Sequence, residues 1–239
     1  MQDCFEVVNA GKIEFSEDEI TQISDGYINK VLQSKINLNL NILITSRYLA
    51  GNLFSYEIDN FTVVTNYDWD YFSPPDFEVY VVKQIVRRIL FSCCDNISDH
   101  QETRGCVMDY CERKLDIKYG LITGDFCEIC RRHIEDCIEK GKLTKKQFEC
   151  LTKILKWISS ETKKQIWHFI THSEKPEDFH REIREILRFH FIKQGYNVEF
   201  EKRLLNYTLD LVAEKGDEVI AIEIVEPQAL ENLDIIKSL

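Results

Sequence analysis

The sequence has no long apolar run, no recognisable targeting segment, and no internal repeat or low-complexity tract. A helix that crosses a membrane needs about eighteen or more consecutive apolar residues, so we expect no membrane span. The opening letters MQDCFEVVNAGKIEF contain no basic stretch followed by an apolar one, so they do not predict a secretory signal peptide. We therefore expect the protein in the cytoplasm.

The chain is also poor in net positive charge. Its formal charge is −11, which argues against a protein whose whole surface is covered by nucleic acid. Residues 112–164 are the exception, because they carry 13 basic and 9 acidic groups. A basic surface can lie only in this middle segment, although a charge run of this kind is usually a solvated helix face.

Cysteine, in contrast, is abundant and odd in number, with nine residues. In a reducing compartment, metal binding explains such a count better than disulfides do. Four cysteines form a C-x4-C pair followed by a C-x2-C pair, a spacing that can direct four sulfur atoms at one ion. Zinc prefers this tetrahedral set, and four protein ligands leave no open position, so the predicted role is structural. The predicted ligands are Cys106, Cys111, Cys127 and Cys130.

Apolar periodicity and turn signals predict an α+β protein. Before the cysteines we expect a helix over 16–33, a strand over 36–45, a hairpin of 54–58 and 61–65 turning at Asp59-Asn60, and a helix over 76–94 with proline at its first position. After them we expect a helical stretch over 143–171 that breaks at Ser159-Ser160, a helix over 178–195, two strands joined at Lys215-Gly216-Asp217, and a helix beginning in 228–239.

The first half of the chain resembles the archaemetzincins over roughly residues 36–135. The resemblance rests on the order of strand, hairpin and helix, followed by Cys106-Val107-Met108 and a distant Cys127-x-x-Cys130. It implies that Met108 takes the place of the methionine turn, that His100 falls on the third histidine of the catalytic zinc, and that Gln101 replaces a structural-zinc cysteine. Cys111 is then the expected substitute for that cysteine, with His133 and His100 as the alternatives.

The same alignment removes the catalytic part of that family. The first histidine falls on Leu90, the catalytic glutamate on Phe91 and the second histidine on Cys94. A hydrolytic zinc needs such ligands and a carboxylate that takes a proton from bound water. We therefore expect no peptidase activity.

Residues 178–226 resemble the PD-(D/E)xK restriction-endonuclease-like fold. The resemblance implies that Asp210 and Glu223 hold Mg2+, with Glu182 or Glu185 as an additional carboxylate. Val225 occupies the position of the family's lysine, and Lys202 is the nearest replacement.

The expected architecture is a zinc-stabilised pseudo-metzincin module (1–142), a helical connector (143–172) and a partial restriction-endonuclease-like α/β unit (173–239). The expected function is nucleic-acid processing or defence, with structural Zn2+, with Mg2+ in the nuclease-like unit, and with nucleic acid or a protein as the partner. The alternatives are a non-enzymatic protein-binding scaffold and a divergent zinc metallopeptidase.

Overall fold

The computed structural model describes residues 41–49, 53–58, 61–111, 113–173, 175–204 and 207–225. The chain forms two compact units, Met1–Thr162 and Lys163–Leu239, each a mixture of helices and strands. This confirms the coarse α+β class. No helix among the described residues is both long and apolar enough to cross a membrane. The helix predicted over 16–33, the start of the strand predicted over 36–45 and the helix predicted in 228–239 lie outside the described residues.

The first unit contains a three-stranded sheet of β1 (Asn41–Thr45), β2 (Ser55–Ile58) and β3 (Phe61–Thr65). The strand order is β1-β3-β2, with β1 parallel and β2 antiparallel to the central strand β3. The β-branched side chains of Val63 and Val64 are fully buried, as is typical of a central strand. The two strands of the predicted hairpin are confirmed, while its turn at residues 59–60 lies outside the described part.

Two helices follow the sheet, the short α1 (Trp69–Phe72) and the longer α2 (Phe77–Cys93). Helix α2 starts later than predicted, because Asp76 is its N-cap residue and Pro75 therefore lies before the helix rather than at its first position. One face of α2 enters the core with both apolar and charged side chains. The buried polar residues on it are Lys83, Gln84, Arg87 and Arg88.

After α2, the described residues form a 3-10 turn (Lys114–Asp116) and the helices α3 (Ile117–Thr123), α4 (Glu128–Glu139) and α5 (Lys145–His172). The boundary between the two units falls inside α5. The predicted break at Ser159-Ser160 is wrong, since α5 is continuous there. Ser159 is buried, and its hydroxyl donates to the carbonyl oxygen of Ile122 at 2.5 Å instead of disrupting its own helix.

The second unit contains α6 (Pro176–Lys193) and an antiparallel sheet in the order β4-β5-β6. Its strands are β4 (Asn197–Leu204), β5 (Tyr207–Lys215) and β6 (Glu218–Ile222). The predicted helix and the two strands joined at residues 215–217 are confirmed. Gly195 follows α6 with φ 84°, a left-handed conformation that glycine adopts without strain.

Candidate metal centre

One group of side chains in the first unit could hold a metal ion. It consists of His100, Cys106, Cys127 and Cys130, whose ligand atoms all lie within 4.8 Å of one another. Three sulfurs and one imidazole are a donor set that zinc accepts in structural sites. Among the described residues, no other group of three or more histidine, cysteine or acidic side chains converges in this way.

Three separations within this group can be compared with those of a tetrahedral zinc site. The sulfur atoms of Cys106 and Cys130 are 3.8 Å apart. With Zn–S bonds of about 2.3 Å, tetrahedral geometry places two sulfurs about 3.8 Å apart. The Nε2 atom of His100 lies 3.1 Å from the sulfurs of both Cys127 and Cys130, a few tenths of an ångström closer than bonded ligands would be.

The C-x2-C pair is positioned by the start of helix α4. Cys127 is the N-cap residue and Cys130 lies in the first turn, so both thiols are near the positive end of the helix dipole. Two of the four ligands can therefore be predicted from local sequence, because the C-x2-C pair lies at the start of a helix.

The loop that carries Cys106 is held by the carboxylate of Asp109. Its Oδ2 atom accepts hydrogen bonds from the backbone N–H groups of Arg104 at 2.8 Å and Cys106 at 3.0 Å. Two backbone hydrogen bonds also join His100 to this loop. Its N–H donates to the carbonyl oxygen of Met108, and its carbonyl oxygen accepts from the N–H of Tyr110. The loop thus fixes His100 and Cys106 relative to each other before any ion binds.

The sulfur of Cys106 is surrounded by donors. The backbone N–H groups of Met108 and Cys127 point at it, with N···S distances of 3.4 Å and 3.2 Å. The contact with Cys130 lowers the pKa of Cys106 to about 5, although burial acts in the opposite direction. The same contact raises the pKa of Cys130. One sulfur of this pair is therefore prepared to be a thiolate, stabilised by backbone donors of the kind that support metal-bound sulfur.

Helix α3 approaches the Cys106 loop at a glycine. A Cβ atom on Gly120 would lie 2.8 Å from the carbonyl oxygen of Cys106, too close for an unbonded contact. Only glycine allows this helix to pack against the loop without displacing it.

The structure does not bring Cys111, the predicted fourth ligand, into the cluster; His100 occupies that place. Cys111 has a left-handed backbone with φ 59°, and its buried thiol faces a separate cleft near Lys83. Burial raises the pKa of the Cys111 thiol to about 11. His133, the other alternative, lies on α4 outside the group. In the resemblance, Gln101 replaces a cysteine of the structural zinc site, and Cys111 is the expected substitute for it. The loop instead turns the imidazole of His100 toward the sulfurs.

The resemblance aligns three residues with the catalytic positions of a peptidase, and the structure packs their side chains in or against the apolar core. Leu90 and Cys94 are buried in the apolar core, and Phe91 packs partly against it. His100, which the resemblance aligned with a catalytic zinc ligand, has its Nε2 atom directed at the cysteine sulfurs.

In the second unit, Asp210 lies on β5 and Glu223 immediately follows β6. The register ends at the pair Leu211–Ile222, and Asp210 and Glu223 are the residues next to that pair on each side. The Oδ2 atom of Asp210 accepts the backbone N–H of Ile224 at 2.7 Å, and this bond brings the end of β6 to Asp210.

The other residues of the predicted nuclease site are Glu182, Lys202 and Val225. Glu182 is buried on α6, with Oε1 3.4 Å from Nε of Arg181. Lys202 is held by Glu214 at 2.5 Å and Glu199 at 3.3 Å. Val225 is exposed.

Comparisons of this chain with protein-family models, with curated proteins and with solved structures find no match.

Proposed function

We propose that this chain is a nucleic-acid-processing or defence-type protein, in which structural zinc stabilises a first unit without peptidase activity and the second unit is nuclease-like. The observation that carries the zinc part is the convergence of His100 with three cysteines inside 4.8 Å. Four protein ligands fill the tetrahedral coordination of zinc, so the ion has no position for a substrate or an activated water. The role of the zinc is therefore to hold the Cys106 loop against helix α4.

Support for the nuclease-like part comes from the edge of the second sheet. Asp210 and Glu223 are the residues next to the last pair of the β5–β6 register, and the Oδ2 atom of Asp210 accepts the backbone N–H of Ile224. His180 on α6 has its Nδ1 atom 4.0 Å from Asp210. Two adjacent carboxylates repel each other unless a cation lies between them, and Mg2+ prefers such oxygen ligands. A bound Mg2+ ion would supply charge stabilisation for a phosphodiester, and Asp210 and Glu223 would be its protein ligands.

The proposal is tested by titrating Mg2+ and Mn2+ against the wild type and the Asp210→Asn variant. Asparagine keeps an oxygen that accepts the N–H of Ile224 and removes only the charge. We expect the ions to raise the melting temperature of the wild type, and we expect cleavage of single- or double-stranded DNA or RNA that the variant loses. Asp217→Asn, an exposed acid in the β5–β6 turn, is the matched control and should behave like the wild type.

A non-enzymatic protein-binding scaffold is the second candidate function. It is favoured by Val225 at the position of the catalytic lysine and by Lys202, which two glutamates hold. If the metal ions do not change the melting temperature and no nucleic acid is cleaved, the second unit is a scaffold.

A further inference from the structure

The first unit contains a cleft of about 440 Å³ between strand β2 and helix α2. It is separate from the four-ligand cluster, because none of those ligands lines it. Its size falls within the range of about 300–1,000 Å³ that is common for small-molecule sites. Aromatic side chains form part of its walls, and these are Phe54, Tyr56, Tyr80 and Tyr110.

Helix α2 contributes polar side chains to this cleft that are almost completely buried. Lys83 and Gln84 are each 1% exposed, and Arg87 is 4% exposed. Lysine is rarely buried to this extent unless a partner compensates its charge. A helix face that places such groups in a cleft needs an explanation beyond packing.

Lys83 has no such partner within the part of the chain that the structure describes. Its Nζ atom makes no ion pair there, and it lies 5.9 Å from the centre of the Tyr80 ring. Burial lowers the pKa of Lys83, whereas nearby acidic groups act in the opposite direction. Among the described residues, no ion pair offsets the desolvation of this ammonium.

A neighbouring amide donor makes no hydrogen bond of good geometry, although it lies close to the hydroxyl of Tyr80. The Nε2 atom of Gln84 is buried without a hydrogen-bond partner, while its Oε1 atom accepts from Arg87 at 2.6 Å. Buried donors of this kind are uncommon in folded proteins and usually indicate a ligand, a water or an ion.

The acidic residues of the cleft have contacts of their own. Asp99 pairs with Arg87, and Oδ2 of Asp109 accepts two backbone N–H groups. Glu57 lies 3.7 Å from Arg88. Their unused acceptors, Oε1 of Glu57 and Oδ1 of Asp109, are open to an N–H or O–H group of a ligand.

We propose that this cleft binds a small organic anion with an aromatic body, whose carboxylate or phosphate accepts hydrogen bonds from Lys83 and Gln84. The aromatic walls would contact the body of the ligand, and the buried ammonium would contact its charge. This site does not depend on the proposed nuclease-like function.

The test uses benzoate and phenyl phosphate as anionic probes and benzyl alcohol as the neutral control, with binding followed by ligand-observed NMR and thermal shift. Binding of either anion in preference to benzyl alcohol supports the proposal, and the preferred anion identifies a carboxylate or a phosphate ligand. Equal binding of benzyl alcohol, or no binding of either anion at millimolar concentration, would overturn it.

Two variants connect the binding to the named side chains. Lys83→Met keeps most of the side-chain volume and removes the charge, so anion binding should weaken by about tenfold or more, as expected for a lost charge-assisted hydrogen bond. The same variant should melt at a higher temperature than the wild type, because an uncompensated buried charge is gone. Gln84→Glu keeps the acceptor for Arg87 and replaces the free donor by an anion, so it should also weaken binding.

Lys118→Met is the matched control, since Lys118 is a buried lysine that does not line the cleft. It should bind the probes as the wild type does. Unchanged anion binding in both Lys83→Met and Gln84→Glu would contradict the proposal, even if the probes bind to the wild type.

Discussion

At the scale of single residues, the metal centre depends on which side chain joins the three cysteines. The backbone bonds of His100 to Met108 and Tyr110 place its imidazole beside Cys127 and Cys130. Cys111 lies in the same loop, but its left-handed backbone directs the thiol to another cavity. The identity of the fourth ligand is therefore a property of the loop conformation rather than of residue type.

A comparison of His100→Ala with Cys111→Ser separates the two possible ligand sets. Loss of the imidazole should weaken zinc binding by more than the roughly 10–100-fold that is typical of outer-shell changes, because a direct ligand is removed. Cys111→Ser should keep the wild-type zinc affinity. Competition with a chromogenic chelator measures both, and zinc loss in Cys111→Ser alone would reverse the assignment.

Gly120→Ala tests the close approach of helix α3 to the metal loop. The new methyl group would meet the carbonyl oxygen of Cys106 at 2.8 Å, so the loop or the helix must shift. We expect a loss of about 1–3 kcal/mol in the free energy of unfolding, as for overpacked cores, together with weaker zinc binding. Chemical denaturation of the zinc-loaded variant measures its free energy of unfolding. A value equal to that of the wild type would show that the contact is not tight.

At the scale of elements, most strands and helices could be predicted because their signals are local. Alternating apolar and polar residues predicted the strand over 36–45 that includes β1, and a helical period followed by glycine predicted α6 with its end near Gly195. Ser159 misled the prediction of α5, because its hydroxyl bonds to Ile122, 37 residues away, and no local signal reveals that partner. His100 was only an alternative ligand for a similar reason, since it is 27 residues from Cys127 and depends on the fold of the intervening loop.

The two adjacent serines of α5 provide a matched pair for the element scale. Ser159→Ala removes a buried hydrogen bond and leaves the carbonyl of Ile122 without that donor, so it should lower the free energy of unfolding by about 1 kcal/mol. Ser160 is exposed, and Ser160→Ala changes only helix propensity. The difference between the two variants in urea denaturation isolates the hydrogen bond, and equal effects would show that it contributes nothing.

At the scale of the whole molecule, the chain forms two compact units, and the candidate zinc site lies in the first. Structural zinc contributes about 10 kcal/mol or more of apparent free energy to small domains, so its removal should affect the first unit most. The second unit has its own helix and antiparallel sheet.

Hydrogen exchange followed by mass spectrometry tests this division. After treatment with a chelator under reducing conditions, we expect faster exchange in helices α3 and α4 and unchanged exchange in strands β4–β6. Uniform loss of protection in both units would mean that they unfold together.

The zinc content of the purified, reduced protein tests the central claim most directly. Elemental analysis should find one zinc per chain in the wild type and in Cys111→Ser, and a strongly reduced content in Cys127→Ser, which should also lose the fold of the first unit. A folded and fully reduced wild-type protein that contains no zinc, and takes up none when zinc is added, would contradict the account.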